Sequence, residues 1–147
     1  MEKALTALIA RYADRIAAVA IMSNDIQDQP EDAPDYMRDQ ALRLGWDKLG
    51  VPYLFDSTQD TAREFHAACT PDLYLFDTDY KLTYHAQFDR TRPYRESDAK
   101  NGLEHHPEIH AEAHGADLEA AIEALLHNHP PVSPQIASLG CNIKWRS

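Results

Sequence analysis

The chain has 147 residues, 44% hydrophobic and 26% charged, which suits one globular domain long enough to bury a core. Its 24 acidic residues outnumber 14 basic ones for a formal net charge of −10, which excludes nucleic acid and anionic membrane as expected partners, since both require a basic face. No apolar run reaches the length of a membrane span and the first residues lack the basic-then-apolar order of a secretory signal, so the expected location is cytoplasmic.

Residues 2–13 place Leu5, Leu8, Ile9 and Tyr12 at helical spacing, with Lys3, Thr6 and Arg11 on other faces, and predict a helix. Ile16–Met22 is an almost unbroken apolar run of the kind that forms a strand covered on both faces. A polar, proline-bearing loop leads to the next helix. There Asp32 is the expected N-cap, Pro34 sits in the first turn, Tyr36, Met37, Ala41 and Leu44 form the apolar face, and Gly45 is the stop. Val51–Phe55 reads as a short strand whose Pro52 favours an edge or a strand start. A further helix follows Thr58-Gln59-Asp60 and ends near Phe65 or Ala67.

Beyond Cys69 come two strands, Leu73–Phe76 and Leu82–Phe88, joined by the turn-forming Asp77-Thr78-Asp79-Tyr80, which predicts an antiparallel hairpin. The stretch from Asp89 to Gly115 is charged, rich in proline and histidine, and without clear period apart from a helical turn within Ile109–Ala113. Ala116–His127 is a helix with Leu118, Ile122, Leu125 and Leu126 apolar, stopped by His129-Pro130-Pro131. Residues 132–147 read as an extended tail laid over the surface. No repeat or domain boundary is evident, so residues 1–147 read as one domain. The alternation of helix and strand, closed by a hairpin, predicts an α/β fold with a mixed sheet flanked by helices.

Ala67-Ala68-Cys69-Thr70-Pro71-Asp72 running straight into the strand Leu73–Phe76 resembles the thioredoxin fold, and within it the peroxiredoxin-like family related to alkyl hydroperoxide reductase and thiol-specific antioxidant. The likeness extends over AIMSND at 20–25, PEDAPDYM at 30–37, residues 52–77, KLTYHAQFDRTRP at 81–93 and LGCNIKW at 139–145, almost the full chain. It implies a cis peptide bond between Thr70 and Pro71, and a loop at Thr70 and Pro71 that shapes the substrate groove. It implies thiol–disulfide or peroxide chemistry, with a thiol or disulfide protein or a peroxide as partner and no cofactor. Residues 94–114, with four histidines, depart from the short loop the family would have there.

The larger departure lies at the start. The family presents a Cys-x-x-Cys motif at the N-terminus of its first long helix, where the helix dipole and unpaired amides favour the thiolate. Here that helix begins at residue 2 or 3, and the chain's cysteines are Cys69 and Cys141 alone. The resemblance would set the missing strand between the 16–22 and 73–76 strands, and unsatisfied backbone groups left by its removal would cost about 1–3 kcal/mol each. A thioredoxin-like domain incomplete at its N-terminus is therefore the expectation. Direct closure of the two strands and a strand supplied by a partner are the alternatives, and a homodimer would follow from exposed strand edges.

Cys69 and Cys141 are the candidate catalytic residues, as resolving or auxiliary thiols. Each also has an ordinary reading, Cys69 as a small buried hydrophobe and Cys141 as a packed tail residue. His105, His106, His110 and His114, with Glu104, Glu108 and Glu112, invite a metal reading, but Pro107 interrupts the helix that would align them, and no metal site is assigned. Asp25, Asp72 and Asp77 flank strand ends, where most aspartates cap turns. No glycine loop for phosphates and no hydrolase elbow is present. The expected function is thiol–disulfide oxidoreductase or peroxiredoxin-like antioxidant, inactive or impaired over these residues. The alternative is a non-catalytic thioredoxin-fold module that binds a partner chain or oligomerises.

Overall fold

Among the described residues of this mixed α/β protein, each strand pair is a separate two-stranded ribbon. The computed structural model describes residues 1–102 and 104–146. They form α1 (Glu2–Tyr12), β1 (Ala20–Met22), a 3-10 turn (Pro30–Asp32), α2 (Pro34–Leu44), α3 (Trp46–Leu49), β2 (Tyr53–Phe55), α4 (Asp60–Glu64), β3 (Cys69–Thr70), β4 (Leu73–Phe76), β5 (Leu82–Ala86), α5 (Glu96–Lys100), α6 (Ala116–Leu126) and β6 (Cys141–Asn142). The chain divides into two compact units, one built on Leu73–Ser138 with Met1 and Lys3–Leu5, the other on Thr6–Asp72 with Glu2 and the residues from Leu139 onward.

The expected single mixed sheet is corrected to three ribbons. β1 pairs parallel with β2, β3 antiparallel with β6, and β4 antiparallel with β5. Among the described residues no strand joins one ribbon to another.

In the unit that holds β1 and β2, the strands are shorter than their apolar runs. Pro52 has no N–H to give a ladder, so β2 starts at Tyr53, while the Pro52 carbonyl accepts the Ala20 amide at 2.9 Å and thereby starts β1. Residues 16–19 find no such partner in the ladder, and Val19 is 57% exposed. Helix α2 begins one residue later than a cap at Asp32 would require. Pro34 occupies its first turn, Ala33 is the N-cap, and Asp32 instead accepts the Asn24 side-chain amide at 2.8 Å. Gly45 ends α2 in the left-handed region, its N–H returning to the Ala41 and Leu42 carbonyls. Leu8, Tyr12, Met37, Trp46, Val51 and Ala62 supply buried apolar surface here, and the Trp46 indole N–H donates to the Thr6 hydroxyl at 2.9 Å.

In the other unit the hairpin forms where its turn predicts. Asp77 Oδ1 accepts the amides of Asp79 and Lys81, each at 2.9 Å, closing the turn locally. A bulge between Leu75 and Phe76 leaves Thr83 out of register, and its hydroxyl donates to the Leu75 carbonyl at 3.0 Å. The outer margin of β5 is covered by residues 135–138. The Gln135 side-chain amide accepts from the His85 N–H and donates to the Thr83 carbonyl, each at 3.0 Å, and the Ser138 hydroxyl donates to the Ala86 carbonyl. A side chain thus does what a neighbouring strand's backbone would do. Helix α6 lies on β5 and buries Leu118, Ala121 and Ile122.

The long connection from Asp89 to Gly115 is closed by one buried carboxylate. Asp89 accepts the Thr91 amide and hydroxyl through Oδ1 and the His114 and Gly115 amides through Oδ2, at 2.6–2.8 Å. Gly115 then opens α6 at φ +78°, against the Phe88 ring.

Candidate functional site

The Cys69 loop and the C-terminal segment meet as a ribbon. β3 and β6 pair antiparallel with Cys69 opposite Asn142 and Thr70 opposite Cys141. The segment read as an extended surface tail is held at its end: Ile143 is buried, and the chain on either side is fixed by specific bonds. The Asp25 amide donates to the Lys144 carbonyl at 2.8 Å, and the Lys144 amide to Asn24 Oδ1 at 2.9 Å. Buried Gln59 donates to the Ser23 and Lys144 carbonyls and accepts the Arg146 amide, at 2.7–2.8 Å. Arg63 stacks over Trp145 at 5.1 Å.

This ribbon brings together two cysteines far apart in sequence, yet not on one face. Partners directly opposite in an antiparallel pair share a face, and successive residues alternate. Cys69 therefore shares a face with Asn142, and Cys141 shares the other with Thr70. Cys69 is buried and Cys141 exposed, and both are free thiols. A disulfide between them would require β6 to slip by one residue, against the anchors at Asn24, Asp25 and Gln59. Gly140 adds to that lock, because a Cβ there would overlap the Thr70 carbonyl oxygen.

The Cys69 thiol donates to the Pro71 carbonyl at 3.6 Å. Burial pushes its pKa up, and the charges of Asp72 and Cys141 push it further the same way. At neutral pH the group is a protonated thiol, a weak nucleophile in the resting state. Thr70 is exposed beside it, and the Thr70–Pro71 peptide bond is cis, as is Ser133–Pro134. Asp72 accepts the Ala68 amide at 3.0 Å, Asp25 that of Gln27 at 3.2 Å, and Asp77 closes the hairpin turn. Each of these aspartates caps a turn.

A second carboxylate, Asp56, was not singled out by sequence reasoning. It accepts the Ser23 hydroxyl and the Ala62 amide at 3.0 Å and the Thr61 amide at 3.3 Å, so it caps α4 from four residues upstream of its first residue. Burial alone would raise its pKa, but these hydrogen bonds outweigh it and hold the carboxyl below its ordinary value. Asp89 behaves alike, burial being outweighed by bonds from Thr91, Gly115 and His114. Among the described residues no group of three histidine, cysteine, aspartate or glutamate side chains is arranged to hold a metal ion, and no helix is long and apolar enough to cross a membrane.

Fold and ribbon together define a mixed α/β protein with a buried thiol and an exposed thiol on paired strands. Its structure is similar to that of a hypothetical protein from Sinorhizobium meliloti, at 36% identity and a TM-score of 0.81 over 99% of this chain and 71% of that one. It is also similar to an uncharacterized conserved protein from Geobacillus kaustophilus, at 38% identity and a TM-score of 0.80 over 99% of this chain and 68% of that one. The chain belongs to the family of these two proteins. No known family's sequence profile matches it, and no curated protein matches it.

Proposed function

We propose that the chain belongs to a thioredoxin-like, peroxiredoxin-like protein of thiol–disulfide or peroxide chemistry, in which Thr70 and Pro71 shape the groove for a thiol-bearing partner and Cys69 and Cys141 serve as auxiliary thiols. The observation that carries this reading is the β3–β6 ribbon, which gathers the chain's two cysteines at the Cys-Thr-Pro loop immediately before β4. The order of elements supports it, with a parallel β1–β2 pair spanning α2 and α3, then α4, the antiparallel β4–β5 hairpin and α6. In such chemistry a thiolate attacks a disulfide sulfur, forms a mixed disulfide and releases the other sulfur as thiolate; with a peroxide it becomes a sulfenic acid and releases an alcohol or water. Cys69, protonated and buried, is poorly suited to that first attack. The reading therefore calls for an attacking thiol other than Cys69.

The test is a thiol count on the protein isolated from its natural source. Expected are more alkylatable thiols than the two of this sequence, together with peroxide or protein-disulfide turnover that alkylation abolishes. A count of two with no turnover would overturn the enzyme reading and favour a non-catalytic binding module. One observation leans toward that second reading: Ile21 and Leu54, directly opposite in the β1–β2 pair, are 43% and 51% exposed. Parallel strands ordinarily cover such residues on both faces.

A further inference from the structure

Arg90, Arg92 and Arg95 fall within six residues of a chain whose net charge is −10. Arg92, Pro93, Arg95, Ser97 and Asp98 line an open cleft of about 390 Å³, a size typical of small-molecule sites. Among the described residues neither the Arg92 nor the Arg95 guanidinium has a carboxylate within ion-pair distance. The one acidic group of the lining, Asp98, already accepts the Arg95 amide at 2.8 Å.

The Arg92 amide donates to the Ile109 carbonyl at 2.8 Å, which ties the cleft to the turn His106–His110. In that turn His110 Nδ1 accepts the His106 amide at 2.9 Å, so the neutral ring carries its proton on Nε2. Nε2 is fully covered and has no hydrogen-bond partner among the described residues. The rings of His105 and Tyr94 lie 5.2 and 4.7 Å from that of His110. Burial lowers the His110 pKa, the charges of His105, Arg92 and His106 lower it further, and Asp98 alone opposes them.

We propose that the Arg92–Arg95–Ser97 cleft binds a small molecule through an oxyanion, a phosphate or a carboxylate, held by the two guanidiniums and the Ser97 hydroxyl. Guanidinium forks match the paired oxygens of either group, and such charge-assisted bonds are the strong ones. The bound anion offsets the positive field that disfavours protonated His110. By reciprocity, protonating His110 tightens anion binding.

An NMR titration with inorganic phosphate, and separately with malonate, at ionic strength held constant with sodium chloride, tests this. Saturable shifts confined to Arg92–Asp98 and the His110 ring are expected, reduced at least about tenfold in affinity in the Arg92→Ala/Arg95→Ala variant. Saturation by phosphate alone assigns a phosphate ligand, and by malonate alone a carboxylate. With sulfate, whose charge does not change with pH above about pH 3, affinity should rise as the pH falls, and the His110 pKa should be higher with sulfate bound than without it. Both arginines are exposed, and unchanged amide shifts elsewhere in the variant establish that its fold is retained. Shifts that stay linear and match those of chloride, or saturation that survives in the double variant, would overturn the proposal.

Discussion

The carboxylate of Asp89 accepts the backbone amide of Gly115 at 2.6 Å across 26 residues of sequence, and it does so from a buried position. Four donors converge on this side chain, from Thr91, His114 and Gly115. The carboxylate therefore fixes both ends of a connection that has little regular structure of its own.

Replacing Asp89 with Asn leaves at least one amide without its acceptor and removes the charge that favours all of them. The expected loss is about 1–3 kcal/mol, read from the urea midpoint. The sign of the pH dependence follows from the lowered pKa values of Asp89 and Asp56. A carboxylate depressed in the folded state contributes stability that is fully present above its unfolded value, near 4, and is lost as pH falls through the folded one. Unfolding midpoints should thus decline below about pH 4, and less steeply in Asp89→Asn. Equal slopes in the two proteins would contradict this account of Asp89.

Gly115→Ala meets two obstacles at once. The backbone there sits at φ +78°, and the new Cβ would lie 2.5 Å from the nearest Phe88 ring carbon. Left-handed strain and overpacking together predict a loss on the order of 2–4 kcal/mol, measurable by thermal or urea unfolding. Combining it with Phe88→Leu should recover part of that loss, because the ring is what the methyl strikes.

The two thiols should react in sequence under native conditions. Exposed Cys141 is expected to be titrated rapidly by Ellman's reagent, and buried Cys69, with its raised pKa, only slowly until denaturant is added. Mild oxidation should give no bond between Cys69 and Cys141, since the register places them on opposite faces. Peptide mapping without reduction is the check, and a dominant Cys69–Cys141 peptide would mean that β6 slips on β3.

Gly140→Ala tests that register from the other side. The added methyl overlaps the Thr70 carbonyl, a backbone atom that cannot swing aside. A loss of about 1–3 kcal/mol is expected, with faster labelling of Cys69 as β3 and β6 part. Labelling as slow as in the parent protein would show that burial of Cys69 does not depend on β6.

The long elements were legible because their periodicity is strong. α1, α2 and α6 fall where Leu8, Met37 and Leu118 repeat, and the β4–β5 hairpin falls where Asp77-Thr78-Asp79-Tyr80 marks a turn. What stayed hidden has little or no period. β3 and β6 are two residues each, joined only through tertiary contact, and α3 and α5 are too short to show an apolar face. Cys69 and Cys141 could be named as thiols, whereas their opposite faces depend on a register that no spacing encodes. Asp89 read as one more charge in a solvated loop. Its Asp-x-Thr spacing to Thr91 was the available sign of a side chain turned back on its own backbone. Gln59 offered no comparable signal, being an uncharged polar residue at the mouth of a predicted helix.

That glutamine has a consequence for how the protein moves. Ser23, Lys144 and Arg146 are fastened by one side chain, that of Gln59, so its displacement releases all three at once. Hydrogen exchange should report the loop after β1, the start of α4 and the last residues of the chain as one cooperative opening unit, with a common free energy. Removing the residues after Asn142 would take two of the three partners from Gln59 and so be felt at Ser23, a distant point in the sequence.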